Sequence, residues 1–196
     1  MKSKAIRALL TRTPLVTVLL GVSLNGHAQG IVLFQNGNQS RATNFFTGDP
    51  VPVGTSFLAG LYYAPDGVTD EESFFQIGLP TGFPFPGLFI GGNRTTPAST
   101  PPCGYAMFQV RVWESAFGST FEEAIMAPPQ TGRSALTGKS NIIQVHTGCY
   151  APPFPPIQPI DRFGLAPIYL VPEPPSLHLA LGALVAMWVA RSRKSR

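Results

Sequence analysis

The sequence predicts an all-β fold, a single β-sandwich-like domain over residues 29–170. Three observations predict it. The 21 prolines and 20 glycines are well above ordinary usage and cut the chain into apolar segments of strand length. One of these segments, Tyr105 to Trp113, alternates cleanly with a period of two. A helix-start signal occurs at one short place, Ser119 to Ala124. Seven or more short strands separated by turn signals suit a sandwich, with an open barrel as the alternative closure. No internal repeat points to a propeller or solenoid.

Taken in order, Ile31 to Gln35 reads as a first strand, followed by an Asn36-Gly37-Asn38 turn signal. Phe57 to Tyr63 is an apolar strand closed by Pro65-Asp66-Gly67. Asp70-Glu71-Glu72 forms an acidic patch ahead of a short strand at Phe74 to Ile77, and Leu88-Phe89-Ile90 is expected as another strand. Residues 79–87 and 95–102 read as Pro/Gly/Thr loops. In the strand Tyr105 to Trp113, Phe108, Val110 and Val112 point one way and Gln109, Arg111 and Trp113 the other. The first face suits a core, the second a partly solvated surface. Ser119 with Glu122, or Thr120 with Glu123, makes a capping box for a short helix or turn. Asn141 to His146 is a strand with Ile143 and Val145 on one face, residues 151–160 form a proline-rich extended connector, and Ile168 to Val171 is the last strand.

Charge excludes one class of function. The whole chain is +4, but four basic residues lie before residue 29 and four after residue 190. Between them, Arg41, Arg94, Arg111, Arg133, Lys139 and Arg162 face nine acidic residues, so the core carries about −3. A domain of that charge has no electrostatic footprint for nucleic acid.

Both ends read as addresses. Lys2, Lys4, Arg7 and Arg12 precede an apolar stretch, Pro14 to Leu24, and Gly26-His27-Ala28 places small residues for cleavage between Ala28 and Gln29. That pattern is a secretory signal peptide over residues 1–28; an uncleaved anchor is the alternative, but the apolar stretch is shorter than the roughly 20 residues of a spanning helix. At the other end, Val171-Pro172-Glu173-Pro174 precedes the apolar run Leu177 to Ala190 and the basic cluster Arg191, Arg193, Lys194 and Arg196. As a helix the run of 14 residues rises about 21 Å against a hydrocarbon core of about 30 Å. Its hydrophobicity runs all round, Trp188 lies near the boundary, and Arg191 and Arg193 can snorkel across the mismatch. A transmembrane helix over residues 177–190 is therefore expected, with both positive ends inside and the core outside.

This order of Pro-Glu-Pro, apolar segment and basic end over residues 171–196 resembles the PEP-CTERM sorting segment of exported bacterial proteins. The resemblance implies an exosortase-type processing enzyme as a partner, with Pro172, Glu173 and Pro174 as its recognition residues. It also implies a path from the cell-envelope membrane to the cell surface or extracellular matrix. A plain anchor that is never cut is the alternative. Within the core, Val110 to Ala124 and Gly138 to Ile143 look like a pattern in PEP-CTERM proteins of planctomycete and verrucomicrobial type, which carries no catalytic residues over.

Two cysteines, Cys103 and Cys149, flank strand candidates and are expected to pair in an exported chain, with two separate thiols as the alternative. They and His146 lack zinc-ligand spacing. The core's one histidine, His146, sits at a strand end with no Gly-x-Ser-x-Gly elbow in the chain. Glu114, Glu122 and Glu123 are the candidates from which a hydrolase's carboxylate pair could come, with caps and a solvated face as the simpler account. Asp66 to Glu72 lacks the ordered ligand spacing of a calcium loop. Tyr62, Tyr63 and Trp113 are expected in the core, with a sugar-stacking sheet face as the alternative. Asn38-Gln39-Ser40 and Asn93-Arg94-Thr95 match glycosylation sequons without functional weight in a bacterial setting. The function expected is thus a non-enzymatic envelope or matrix protein of structural or interaction type, with no cofactor or metal. A carbohydrate-binding module that takes extracellular polysaccharide is the second reading, and a hydrolase the third.

Overall fold

The computed structural model describes residues 29–148 and 157–172. The signal peptide through Ala28, Cys149, most of the proline-rich connector, Glu173, Pro174, the apolar run and the basic tail lie outside the described residues. Ten strands occur among the described residues: β1 (Ile31–Gln35), β2 (Ala42–Asn44), β3 (Gly54–Pro65), β4 (Phe75–Gln76), β5 (Thr81–Phe83), β6 (Ile90–Thr95), β7 (Tyr105–Glu114), β8 (Leu136–Lys139), β9 (Ile143–His146) and β10 (Ile168–Pro172). One α-helix, α1 (Phe121–Met126), and four short 3-10 turns complete the elements. The fold is all-β.

The spine is the antiparallel pair β3–β7, in register from Phe57↔Glu114 to Pro65↔Ala106. Both strands exchange partners along their length. β7 pairs with β9 over its first half and with β8 over its second, and β3 pairs with β5 and then β4. The large sheet runs β2-β10-β8-β7-β3-β4, and β1–β6 forms a separate two-stranded sheet. β10 joins β2 in parallel, which brings together segments about 125 residues apart in sequence.

Alternation along the spine sorts its side chains into two clusters. Ala59, Leu61 and Tyr63 of β3 stand with Phe108, Val110 and Val112 of β7, and pack with Val32 and Phe34 of β1 and with Phe89. The opposite face carries Tyr62, Ala64 and Trp113 against Phe74, Phe117, Phe121 and Ala124. The face assignment made from the sequence holds, but the second face is not solvated: Gln109 is 1 % and Arg111 7 % exposed, and Trp113 is fully buried. Helix α1 and the 3-10 turns at Glu71–Ser73 and Ser115–Phe117 cover it. Gly60 makes room for this packing, because a Cβ there would stand 3.1 Å from the Trp113 ring.

Two strand expectations are corrected. Leu88-Phe89 is not strand; β6 starts at Ile90 and runs to Thr95. The reason is Asn36, a buried side chain whose Oδ1 accepts from Phe89 N at 2.7 Å while its Nδ2 donates to Ser40 O and Gly87 O. A side chain thereby occupies the amide that a neighbouring strand would otherwise use. The expected loop 79–87 also contains β5, paired to β3 at Ala59↔Thr81.

Candidate functional site

The densest polar arrangement lies under α1, on the second face of the spine. The helix forms where the sequence places it, and the register is now decided. Thr120 is the N-cap, its Oγ1 accepting from Glu123 N at 3.1 Å, and the Glu123 carboxylate returns to the amides of Thr120 and Ser119. The hydroxyl of Ser119 donates to the same carboxylate, and these bonds hold it below the usual carboxylate range. Glu122, one position earlier, is left to face the sheet. Its Oε1 accepts from Arg111 Nη1 at 3.1 Å and its Oε2 from the Tyr62 hydroxyl at 2.8 Å.

Arg111 is the centre of this arrangement. Its guanidinium lies 4.1 Å from the Tyr62 ring centroid and 5.4 Å from that of Phe121. Nε donates to Gln109 Oε1 at 2.9 Å and Nη2 to the Glu71 carbonyl at 2.8 Å. Gln109 Nε2 in turn donates to Glu71 Oε1 and to Ser140 O. Lys139 closes the network through Glu71 Oε2 at 2.7 Å, and this bond is the main cause that lowers the Glu71 carboxyl. Burial, reinforced by the bond to Glu122, pushes the Tyr62 phenol far up, so it stays a neutral donor. A buried cation with this many partners binds four segments of chain together.

The three glutamates considered for hydrolysis are engaged separately. Glu114 forms a two-pronged pair with Arg133, Nη1 to Oε2 at 2.7 Å and Nη2 to Oε1 at 2.6 Å, which lowers the Glu114 carboxyl and raises the Arg133 guanidinium. Glu122 serves Arg111, and Glu123 caps its own helix. The acidic stretch disperses likewise: Asp66 accepts from Gln144, Asp70 caps the 3-10 turn at Glu71–Ser73, and Glu71 faces Lys139. Among the described residues no three His, Cys, Asp or Glu side chains gather as a metal site would need.

Tyr62, Tyr63 and Trp113 are all core residues, 1 % exposed or less, so no sugar can stack on them. The Tyr63 hydroxyl bonds Ser99 and Thr100, and the Trp113 indole donates to Gly118 O at 3.1 Å. His146 ends β9, its ring against Tyr105 and its Nε2 2.9 Å from Cys103 O. Thr147 N donates to Gly104 O at 2.9 Å, so the chain runs beside Cys103 as it approaches position 149.

Of the Val171-Pro172-Glu173-Pro174 stretch, Val171 and Pro172 form the C-terminal end of β10, paired with Thr137 and Leu136 of β8, and Glu173 and Pro174 lie outside the described residues. Beside this end lies a group that sequence reasoning missed. Phe45 and Phe46, 61 % and 70 % exposed, follow β2 directly, and Phe45 stands edge-on to Tyr169 of β10 at 6.1 Å. The readable signal is two aromatics framed by turn residues, Asn44 before them and Thr47-Gly48-Asp49-Pro50 after. Compared with known protein families, curated proteins and solved structures, the chain matches none of them.

Proposed function

We propose that this protein is an exported cell-envelope component of structural or interaction type, carried out by residues 1–28, held by the apolar segment 177–190, and sorted through Val171-Pro172-Glu173-Pro174. The observation that carries the reading is the order of charges and apolar runs at the two ends, which supports a core held on one side of a membrane.

In this reading the core is a sandwich-like domain, with the β1–β6 sheet lying over one face of the large sheet through Val32, Phe34 and Phe89. A bridge between Cys103 and Cys149 belongs to the same export setting. The approach of residues 146–147 to Cys103 and Gly104 supports it. Its test is alkylation of the unfolded, unreduced chain, where labelling of both thiols would remove the bridge. The sugar-binding reading has lost the aromatic residues on which it stood.

The decisive test is the intact mass of the protein recovered from its host, fraction by fraction. A chain that starts at Gln29 and ends near Pro172 to Pro174, outside the membrane, is the expected result. A membrane-bound chain that retains Leu177 to Arg196 would leave an anchor and remove the sorting enzyme. A chain that retains Met1 to Ala28 would remove the cleaved signal.

A further inference from the structure

Single exposed apolar residues are ordinary on protein surfaces, whereas a contiguous group is not. Phe45, Phe46, Tyr169 and Val171 are contiguous. The two phenylalanine rings meet edge-on at 5.5 Å, Phe45 meets Tyr169 at 6.1 Å, and Val171 stands on the same face of β10 as Tyr169. The loop that carries the phenylalanines is held by its own bonds. Asn44 N donates to Asp49 O at 2.8 Å, Gly48 N to Asn44 O at 2.9 Å, and Phe46 N to Asn44 Oδ1 at 2.9 Å. The rings are therefore presented to solvent on a braced tip.

Position singles this group out. β2 and β10 run parallel, and Phe45 N donates to Leu170 O at 3.0 Å. The aromatic tip thus lies at the end of the sheet from which the chain leaves toward its apolar run. Leu177 follows Pro172 by five residues, a reach of at most about 17 Å fully extended. If that run lies in a bilayer, the tether keeps this end of the domain within reach of the headgroups. Electrostatics narrow the surface further. From Ala42 to Pro65 the chain carries one charged side chain, Asp49, and from Phe163 to Pro172 none. The two segments that carry the patch supply no cation of their own, and Lys139 on the neighbouring strand β8 is paired with Glu71, so the contact would be chiefly apolar and aromatic, as in interfacial belts.

We infer that Phe45, Phe46, Tyr169 and Val171 form a membrane-docking face that seats the domain on the lipid interface beside its own anchor. The inference rests on the anchored reading above, and the test separates the two. The full chain is reconstituted in neutral phosphatidylcholine vesicles containing lipids brominated on their acyl chains. A Phe46→Trp, Trp188→Phe chain reports on the patch, because the remaining Trp113 is fully buried. The natural chain reports on the anchor through Trp188. A Met126→Trp, Trp188→Phe chain is the comparison, since Met126 is exposed and α1 packs chiefly on β7 and β8 rather than on the strands that carry the patch.

The expected result is an indole at position 46 quenched several-fold more than one at position 126, with blue-shifted emission and no dependence on salt. Quenching of Trp188 without quenching at position 46 would leave the anchor standing and overturn the docking face. Loss of both signals would overturn both. Quenching at position 46 without quenching of Trp188 would keep the docking face and remove the anchor. Shielding of position 46 from aqueous iodide without bromolipid quenching would mean that protein covers the rings, a second copy or the chain's own tail, and would overturn the lipid assignment.

Discussion

The guanidinium of Arg111 offers the sharpest test of how this fold is held. Methionine at that position keeps most of the buried stem and removes the charge and all donors. The consequences are unequal. Glu122 is half exposed and re-solvates cheaply. Gln109 is 1 % exposed, and its Oε1 loses its donor while its amide stays committed to Glu71 and Ser140. An acceptor stranded in this way costs about 1–3 kcal/mol. Loss of the stacked cation over Tyr62 adds about 1 kcal/mol, and the Glu71 carbonyl loses a charged donor as well. Arg111→Met is therefore expected to cost about 3 kcal/mol. For a domain of this size that lowers the melting temperature by about 10 °C. Lys139→Met is the internal comparison: both partners of its pair are more than one-third exposed, so it should cost less than about 1 kcal/mol. Urea unfolding with parallel thermal melts measures both. An Arg111→Met chain within about 1 kcal/mol of the natural one, or a Lys139→Met chain as damaged as it, would refute the reasoning that the network's worth lies in its buried half.

Three further outcomes are expected. Glu114 is held below the usual carboxylate range chiefly by Arg133, so its contribution is complete above about pH 4.3 and is lost as pH falls through its lowered folded value. Melts against pH should fall more steeply on acidification for the natural chain than for Glu114→Gln, by no more than about 1 kcal/mol, because Arg133 is half exposed. Thr120→Ala removes the cap of α1 and should cost about 1 kcal/mol in denaturant unfolding; no change would mean that Ser119 suffices. Gly138→Ala places a Cβ 2.6 Å from the Tyr169 carbonyl, so β10 must move away from β8, at a cost of about 1–3 kcal/mol and with faster proteolysis near Val171.

Much of the fold was legible because its signals are local. The period of two in Tyr105 to Trp113 sorts side chains by face whatever they pack against, and the Thr120–Glu123 box starts a helix through bonds made within one turn. The illegible parts depend on partners far away in sequence. β6 reads Ile-Gly-Gly-Asn-Arg-Thr and has no apolar alternation, yet it is strand because β1 supplies its ladder. Phe89 looked like strand and is not, because Asn36, 53 residues away, takes its amide.

Local pattern alone reaches the all-β class, strands over Phe57 to Tyr63 and Tyr105 to Trp113, a short helix or turn near Thr120, and which residues of β7 share a face. These follow from backbone period and turn chemistry, which need no neighbour. Long-range packing is what covers both faces of β7, sends Glu114, Glu122 and Glu123 to three different tasks, and stands Phe45 and Phe46 beside Tyr169 at the end of β10. Period tells which side chains stand together. What lies over them is set by a layer whose residues come from elsewhere in the chain, and by a parallel pairing of β2 with β10 that no local pattern encodes.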